Sequence, residues 1–194
     1  MPTNSTERDR DADKTGMTEE KPPNSTGEVP SSVEEAFFDV RPSKGLIVIM
    51  SGPNLDILGS RQPEIYGTAT LEDHLSLARQ VVAAAGYELR HVHSNQESKL
   101  VEAVHSLRGI AIAIIINAGA LTHYSWALHD ALAAYEGVVV ELHLSNPLAR
   151  EPWRFLSVIA PVADGTIMGF GSLGYKLAAE AAVELARRRV EQSI

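Results

Sequence analysis

Cysteine is absent from all 194 residues of the chain. This absence excludes disulfide bonds, thiol nucleophiles and metal sites built from thiolates. Long hydrophobic runs are missing too, and the N-terminus lacks the charged-then-apolar pattern of a secretory signal. We therefore expect a cytoplasmic protein that does not insert into a membrane.

Sequence motifs of several other enzyme classes are also missing. The chain has no G-x-x-x-x-G-K-[ST] loop for nucleoside triphosphates, no H-E-x-x-H helix for zinc and no G-x-S-x-G turn for an activated serine. Beyond residue 42 the chain has three lysines, Lys44, Lys99 and Lys176, and none of them follows a predicted strand. An enzyme that forms an imine with its substrate would need a lysine amine at that edge of the sheet, so this chemistry is not expected. What remains is proton transfer by the protein's own side chains, with no cofactor and no metal.

Acidic charge is concentrated near the N-terminus. Residues 1–42 hold ten of the 25 acidic and five of the 17 basic side chains, with many Pro, Ser, Thr and Asn residues and few large apolar ones. This composition predicts a disordered acidic N-terminal tail over residues 1–42. Residues 43–194 have the length of a single catalytic domain, and their mildly acidic balance predicts no nucleic-acid surface.

Short apolar runs alternate with amphipathic segments from residue 46 onward, which predicts a βαβ succession. The continuous Ile and Val runs are typical of strands that helices cover on both faces. We expect an α/β fold of the flavodoxin-like type, a three-layer sandwich with a five-stranded parallel sheet whose strand order the pattern does not reveal. The predicted strands are residues 46–50, 87–93, 110–116, 138–144 and 165–170.

Four positions predict helix ends. Thr70 followed by Asp73, and Ser94 followed by Glu97, are typical of N-caps. Gly86 and Gly109 are placed where helices should stop.

Residues 51–67, SGPNLDILGSRQPEIYG, are rich in glycine and proline and predict a long loop. A connection of this length inside a compact α/β unit is uncommon unless it serves as a lid or a binding loop. Arg61 and Tyr66 would be carried by this lid.

Ligands of open parallel sheets bind beyond the carboxyl ends of the strands. Polar residues follow three of the predicted strands: Asn54 the first, Asn117 and His123 the third, and His143, Ser145 and Asn146 the fourth. Three strands would therefore deliver amides, imidazoles and hydroxyls to one edge of the sheet.

Glu141 and His143 are two residues apart on a predicted strand and therefore point to the same face. The carboxylate could orient the imidazole as an acid or base. The alternative is a structural histidine satisfied by a neighbouring glutamate.

Other candidates also have structural alternatives. Asn117 and His123 could simply turn the chain, and Ser145 could start a helix or supply backbone N–H groups to an anion. Arg150 and Arg154 would share a face if AREPWR were helical, which Pro147 and Pro152 disfavour. The alternatives are a solvated basic face, or Arg150 paired with Glu151 or another acid. Arg154 could bind an oxyanion or form a structural ion pair.

Four blocks of sequence, in their order and spacing, resemble the type II 3-dehydroquinate dehydratases. They are SGPNLDILGSRQPEIYG, HSNQESKLVEAVH, INAGALTHYSWALHDAL and VELHLSNPLAREPWR, and GFGSLGYKLAAEA follows them. The resemblance implies a flavodoxin-like homododecamer, a tetramer of trimers, that needs no cofactor. It implies anti elimination of water from 3-dehydroquinate through an enolate to 3-dehydroshikimate, in aromatic amino acid biosynthesis or quinate catabolism.

The resemblance also implies catalytic roles. Tyr66 would be the base that removes the proton next to the ketone, and Arg61 would keep it ionised. Asn54 would position a water that stabilises the enolate oxygen. His143, oriented by Glu141, would protonate the leaving hydroxyl.

The remaining implied roles concern substrate binding. The backbone N–H groups of Leu144 and Ser145, with the Ser145 hydroxyl, would bind the substrate carboxylate. Ring hydroxyls would be held by Asn117, His123 and Arg154. Arg150 would support the lid, and Asp130 would reach the site of a neighbouring subunit.

The chain departs from the usual family pattern at a few positions, among them Ser51 in place of Asn and His129 in place of Arg. None of these departures removes a catalytic group. Two alternatives to a dehydratase remain at this stage. One is a catalytically silent oligomeric binding protein on the same fold, and the other is a flavin- or phosphate-binding module.

Overall fold

A computed structural model describes residues 44–192. The sheet is parallel throughout, with the strand order β2-β1-β3-β4-β5. The strands are β1 (Leu46–Ser51), β2 (Glu88–His93), β3 (Ala111–Asn117), β4 (Val138–His143) and β5 (Gly165–Met168). The helices are α1 (Pro63–Tyr66), α2 (Leu71–Ala84), α3 (Glu97–Leu107), α4 (Trp126–Ala133) and α5 (Ser172–Gln192). The predicted tail of residues 1–42 lies outside the described residues.

Two apolar clusters lie on opposite faces of the sheet. One contains alternate residues of the central strands with the inner faces of α3 and α4, and the other contains the intervening residues with α2 and α5. Every residue of β1 is buried, because helices cover both of its faces. The α/β class, the three layers and the five parallel strands are therefore confirmed.

The predicted helix ends are confirmed except at one position. Thr70 and Asp73 form a reciprocal capping box, and Gly86 and Gly109 follow the ends of α2 and α3 with positive φ angles. The prediction that Ser94 starts α3 is wrong. Its hydroxyl accepts the Gln96 N–H at 2.9 Å in a local turn, and the helix begins at Glu97.

The segment that carries Arg150 and Arg154 is not helical over its length. Two short 3₁₀ turns, Pro147–Ala149 and Pro152–Arg154, replace the helix that the four-residue spacing would need. Each proline stands at the first position of its turn, where its missing N–H costs nothing.

Residues 169–174, GFGSLG, match the G-x-G-x-x-G pattern of dinucleotide-binding turns, although no nucleotide is expected from the rest of the sequence. Gly169 and Gly171 have positive φ angles, and a side chain at Gly174 would press on Leu142. The pattern requires a βαβ unit, whereas α5 is the last helix and no described strand follows it. Backbone conformation at Gly169 and Gly171 and close packing at Gly174 therefore account for these glycines without a bound nucleotide.

The turns after β1 and β3 meet through a glycine. The Gly52 N–H donates to the Asn117 carbonyl at 2.8 Å, and a Cβ at Gly52 would overlap the Ala118 carbonyl group. We expect Gly52→Ala to lower the free energy of unfolding by about 1–3 kcal/mol, because backbone must move to admit the methyl group. Urea unfolding measures this loss.

The matched control is Gly165→Ala, since a Cβ at Gly165 would meet no atom within 4 Å. Equal stabilities of the two variants would contradict the close approach of the two turns.

Within residues 44–192, no helix is long and apolar enough to cross a membrane.

Candidate active site

A pocket opens at the carboxyl ends of β1, β3 and β4, where the sequence places its polar residues. Ten of the predicted site residues line it: Asn54, Arg61, Tyr66, Asn117, His123, His143, Leu144, Ser145, Arg150 and Arg154. Glu141 lies behind His143, outside the lining. Three strand ends, the lid and the turns after β4 therefore converge on one cavity.

The Glu141–His143 pair is formed as predicted and is almost fully buried. The His143 Nε2 is 3.0 Å from the Glu141 Oε1. The same carboxylate accepts the Ser157 hydroxyl at 2.6 Å and the Thr166 hydroxyl at 3.1 Å. Burial alone would raise the pKa of Glu141, but the hydrogen bonds from His143 and Ser157 outweigh it, so the net pKa is lowered.

This arrangement orients the imidazole. An ionised carboxylate accepts hydrogen bonds only, so Nε2 must carry a proton to bond with Glu141. The other ring nitrogen of His143 is thereby left for the pocket, where it can exchange a proton with a bound molecule.

The lid places a tyrosine close to two guanidinium groups. The Arg150 Nη1 donates to the Tyr66 hydroxyl at 2.7 Å, and the Arg150 guanidinium carbon is 5.5 Å from the ring centroid. The Arg61 guanidinium lies over the same ring at 5.7 Å. Arg150, expected only to support the lid, is therefore the arginine that contacts the phenol oxygen.

Arg150 also joins the lid to the turn after β4. Its Nη1 is 3.4 Å from the Ser145 Oγ, and its Nε is 3.6 Å from a Glu151 carboxylate oxygen. A single side chain thus links Tyr66 to the residues expected to bind a carboxylate.

His123 and Arg154 reach the pocket from neighbouring turns. The His123 Nδ1 is 2.7 Å from the Leu156 carbonyl, so it donates there and leaves Nε2 free of that bond. Burial lowers the pKa of His123 and favours the neutral ring, although the Leu156 contact opposes this shift. Arg154 bonds Glu151 at 2.7 Å, and its guanidinium stacks 3.9 Å from the Trp153 ring centroid.

Asn54 stands in an unusual backbone conformation at the start of the lid. Its φ of 66° lies in the left-handed region, which asparagine tolerates better than most residues. The Asn54 N–H donates to the Asn95 Oδ1 at 2.8 Å, and the Asn95 amide in turn donates to Asp56 at 3.2 Å. The loop after β2 thus supports the turn after β1.

Among the described residues, Asp130, unlike Glu141, neither lines this pocket nor contacts a side chain that does. It is exposed on α4 and is not among the lining residues. Sequence reasoning, in turn, missed Ser157 and Thr166. Thr166 pairs with Glu141 in the β4–β5 register, so a known strand order would have revealed it.

The site combines a phenol, an oriented imidazole and several cations without a metal-binding group. Among residues 44–192, no three His, Asp or Glu side chains are grouped closely enough to hold a metal ion. The phenol and the imidazole can each move a proton, and the arginines can stabilise negative charge.

The chain is similar to known proteins over most of the described residues. The family model described as dehydroquinase class II matches residues 45–183. Proteins named 3-dehydroquinate dehydratase from Jannaschia sp. (strain CCS1) and Ruegeria pomeroyi are 49% and 50% identical, over 71% and 70% of this chain and 93% and 91% of their own lengths.

A solved structure gives the same result in three dimensions. The crystal structure of type II dehydroquinase from Butyrivibrio crossotus superposes with a TM-score of 0.69 at 35% identity, covering 72% of this chain and 98% of that one. The family match spans the lid, the sheet and the turns that form the pocket, and the chain belongs to the class II dehydroquinase family.

Proposed function

We propose that this protein is a 3-dehydroquinate dehydratase that eliminates water from 3-dehydroquinate to give 3-dehydroshikimate through an enolate. The observation that carries the proposal is the Tyr66 hydroxyl bonded to Arg150 in the same pocket as the Glu141-bound His143. Family membership supports the same reaction. The protein acts in the cytoplasm. It serves aromatic amino acid biosynthesis or quinate catabolism, because both pathways use this dehydration.

The first step is removal of the proton next to the ketone by the ionised Tyr66 oxygen. Ionising a phenol at pH 7 costs about 4 kcal/mol in water. A cation about 4 Å from a phenolate oxygen stabilises the negative charge by about 4 kcal/mol at an effective dielectric constant of about 20. The Arg150 Nη1 at 2.7 Å from the hydroxyl and the Arg61 guanidinium over the ring are placed to stabilise the negative charge that passes through this oxygen.

The electron pair of the broken C–H bond moves onto the ketone oxygen as an enolate, which Asn54 stabilises through a water molecule. The enolate then re-forms the ketone and expels the hydroxyl at the β carbon. His143 donates its pocket-facing proton to that hydroxyl, which leaves as water. Glu141 stabilises the charged imidazole that must be present before this transfer.

The other pocket residues hold the substrate. The backbone N–H groups of Leu144 and Ser145 bind its carboxylate, with the Ser145 hydroxyl. The ring hydroxyls are held by Asn117, His123 and Arg154, all of which line the pocket.

The purified protein is expected to form a conjugated enone from 3-dehydroquinate, seen as rising ultraviolet absorbance, without added metal or nucleotide. Chelators are expected to leave the rate unchanged. Borohydride with substrate is expected not to inactivate the protein, because no lysine of residues 44–192 lines the pocket. Covalent trapping on a lysine would refute the mechanism, and binding without turnover would favour a silent binding protein.

A homododecamer, a tetramer of trimers, completes the proposal. Large apolar side chains are exposed in two segments, at the start of α4, where Trp126 is 62% exposed, and after the second 3₁₀ turn, where Leu156 is 62% exposed. His123, three residues before Trp126, contacts the Leu156 carbonyl and the Trp153 ring. The segment that contains Trp126 and the segment that contains Leu156 are therefore neighbours. Such surface is typical of protein interfaces, and Asp130 on α4 would reach an adjacent subunit's pocket.

Asp130→Ala is therefore expected to reduce both assembly and kcat/KM, because a neighbouring site loses a polar contact. Light scattering measures the assembly, and Glu102→Ala, which removes an exposed acid from α3, serves as the control. A fully active monomer would refute this part of the proposal.

A further inference from the structure

Residues 156–158 form a short segment with neither helix nor strand, and it contacts two groups of the site. The Leu156 carbonyl accepts a hydrogen bond from the His123 Nδ1 at 2.7 Å, and the Ser157 hydroxyl donates to the Glu141 Oε1 at 2.6 Å. The first contact is with an imidazole that lines the pocket, and the second is with the carboxylate behind the proposed acid. The position of this segment therefore bears on both groups.

The hydrogen bonds of the Ser157 hydroxyl give its proton a direction. The oxygen accepts the backbone N–H groups of Ile159 at 3.1 Å and Ala160 at 2.9 Å. An ionised carboxylate accepts hydrogen bonds only, so the Ser157 proton must point to Glu141. The backbone that follows Ser157 thus fixes the hydroxyl that reaches the carboxylate.

Val158 attaches the segment to the chain before α4 and to α4 itself. This residue is buried, and its N–H donates to the Thr122 carbonyl at 2.8 Å. Its carbonyl oxygen is 2.6 Å from the His129 Nδ1. Because a carbonyl oxygen can only accept, the Nδ1 of this histidine must carry a proton. A side chain of α4 therefore holds the segment by a direct hydrogen bond.

His129 lies outside the pocket lining of the described residues. Its ring packs edge-on against the ring of Trp126, with centroids 5.3 Å apart and planes 62° apart. It is also one of the positions at which the chain departs from the usual family pattern. Its hydrogen bond to Val158 thus connects a residue outside the pocket to the segment that contacts the site.

The consequence for the site follows from hydrogen-bond geometry. A bond from Nδ1 to a backbone carbonyl sets which nitrogen of His123 carries the proton and how the ring is oriented toward the pocket. A carbonyl that moves therefore misaligns the ring. Since residues 156–158 belong to no helix or strand, contacts such as the one with His129 determine where the Leu156 carbonyl lies.

We propose that His129 is a positioning residue that holds the 156–158 segment through the Val158 carbonyl. Held in place, the segment presents a carbonyl to His123 and a hydroxyl to Glu141. This inference rests on the proposed dehydratase function. It adds a residue that does not touch the substrate but controls the alignment of a substrate-binding imidazole.

The test is steady-state kinetics with 3-dehydroquinate on two variants that separate the hydrogen bond from the ring. His129→Phe keeps a ring against Trp126 and removes the donor. His129→Asn removes the ring and keeps an N–H donor near the position of Nδ1. The matched control is His105→Phe, the same change at an exposed position on α3.

We expect His129→Phe to raise KM about five- to tenfold, the size of one hydrogen bond, and to lower kcat about threefold. His129→Asn should recover most of both losses, and His105→Phe should equal wild type. Damage to stability alone would lower the melting temperature and the active fraction without changing KM. In a His123→Ala background, His129→Phe should not raise KM further, because the effect on KM acts through that imidazole.

A wild-type KM in His129→Phe, or a His129→Asn variant as impaired as His129→Phe, would overturn the proposal. A rise in KM that persists in full in the His123→Ala background would overturn it too. A wild type that forms no enone would instead refute the proposed function. If His129→Phe does not fold, His129→Ala takes its place and must raise KM relative to His129→Asn.

Discussion

Tyr66→Phe is expected to abolish turnover while leaving ligand binding largely intact. The substitution removes only the oxygen that accepts the substrate proton and keeps the ring that Arg61 and Arg150 face. Proton abstraction by a positioned base contributes about 10²–10⁴ in rate. The ultraviolet assay measures kcat, and calorimetry with product measures binding.

The control for this variant is Tyr124→Phe, which removes a hydroxyl from a tyrosine that is 60% exposed. It should behave as wild type. If Tyr66→Phe keeps more than about a tenth of the wild-type kcat, the loss of transition-state stabilisation is below about 1.4 kcal/mol, and Tyr66 is not the base.

His143→Ala is the second variant with a large expected effect. It removes the group that protonates the departing hydroxyl. Among the described residues, it also leaves the buried Glu141 carboxylate with two hydroxyl donors, Ser157 and Thr166. We expect kcat to fall about 10²–10⁴-fold, together with some loss of stability because a buried carboxylate loses a partner. Stopped assays at high enzyme concentration measure the residual rate.

Two further variants separate the acid role from general damage. Glu141→Gln keeps the shape of the buried side chain but not its charge, and should lower kcat less than His143→Ala does. His105→Ala, at an exposed position on α3, should change nothing. A His143→Ala variant with near-normal kcat but reduced stability would show that the pair is purely structural.

The sequence by itself determined the elements that depend on neighbouring residues. The Thr70 capping box, the positive-φ glycines after α2 and α3, and the buried strands follow from local hydrogen bonding and from hydrophobic periodicity, which act within a few residues. The rule for parallel sheets placed Asn54, Asn117 and His143 at one edge, because it needs only strand direction. Ser94 is the local exception, because its hydroxyl accepts the Gln96 N–H in a turn that precedes the helix, and the helix begins at Glu97.

Only the tertiary structure decided which distant side chains meet. Arg150 contacts the Tyr66 hydroxyl across 84 positions of sequence, and Ser51 meets His91 across 40. These contacts depend on the strand order, which sets β1 between β2 and β3, and on how the lid lies over the sheet. Local propensity carries no information about either, because packing between elements selects both. For the same reason, the contacts of Glu141 with Thr166 and Ser157 depend on the position of β5 beside β4 and of the segment that precedes β5.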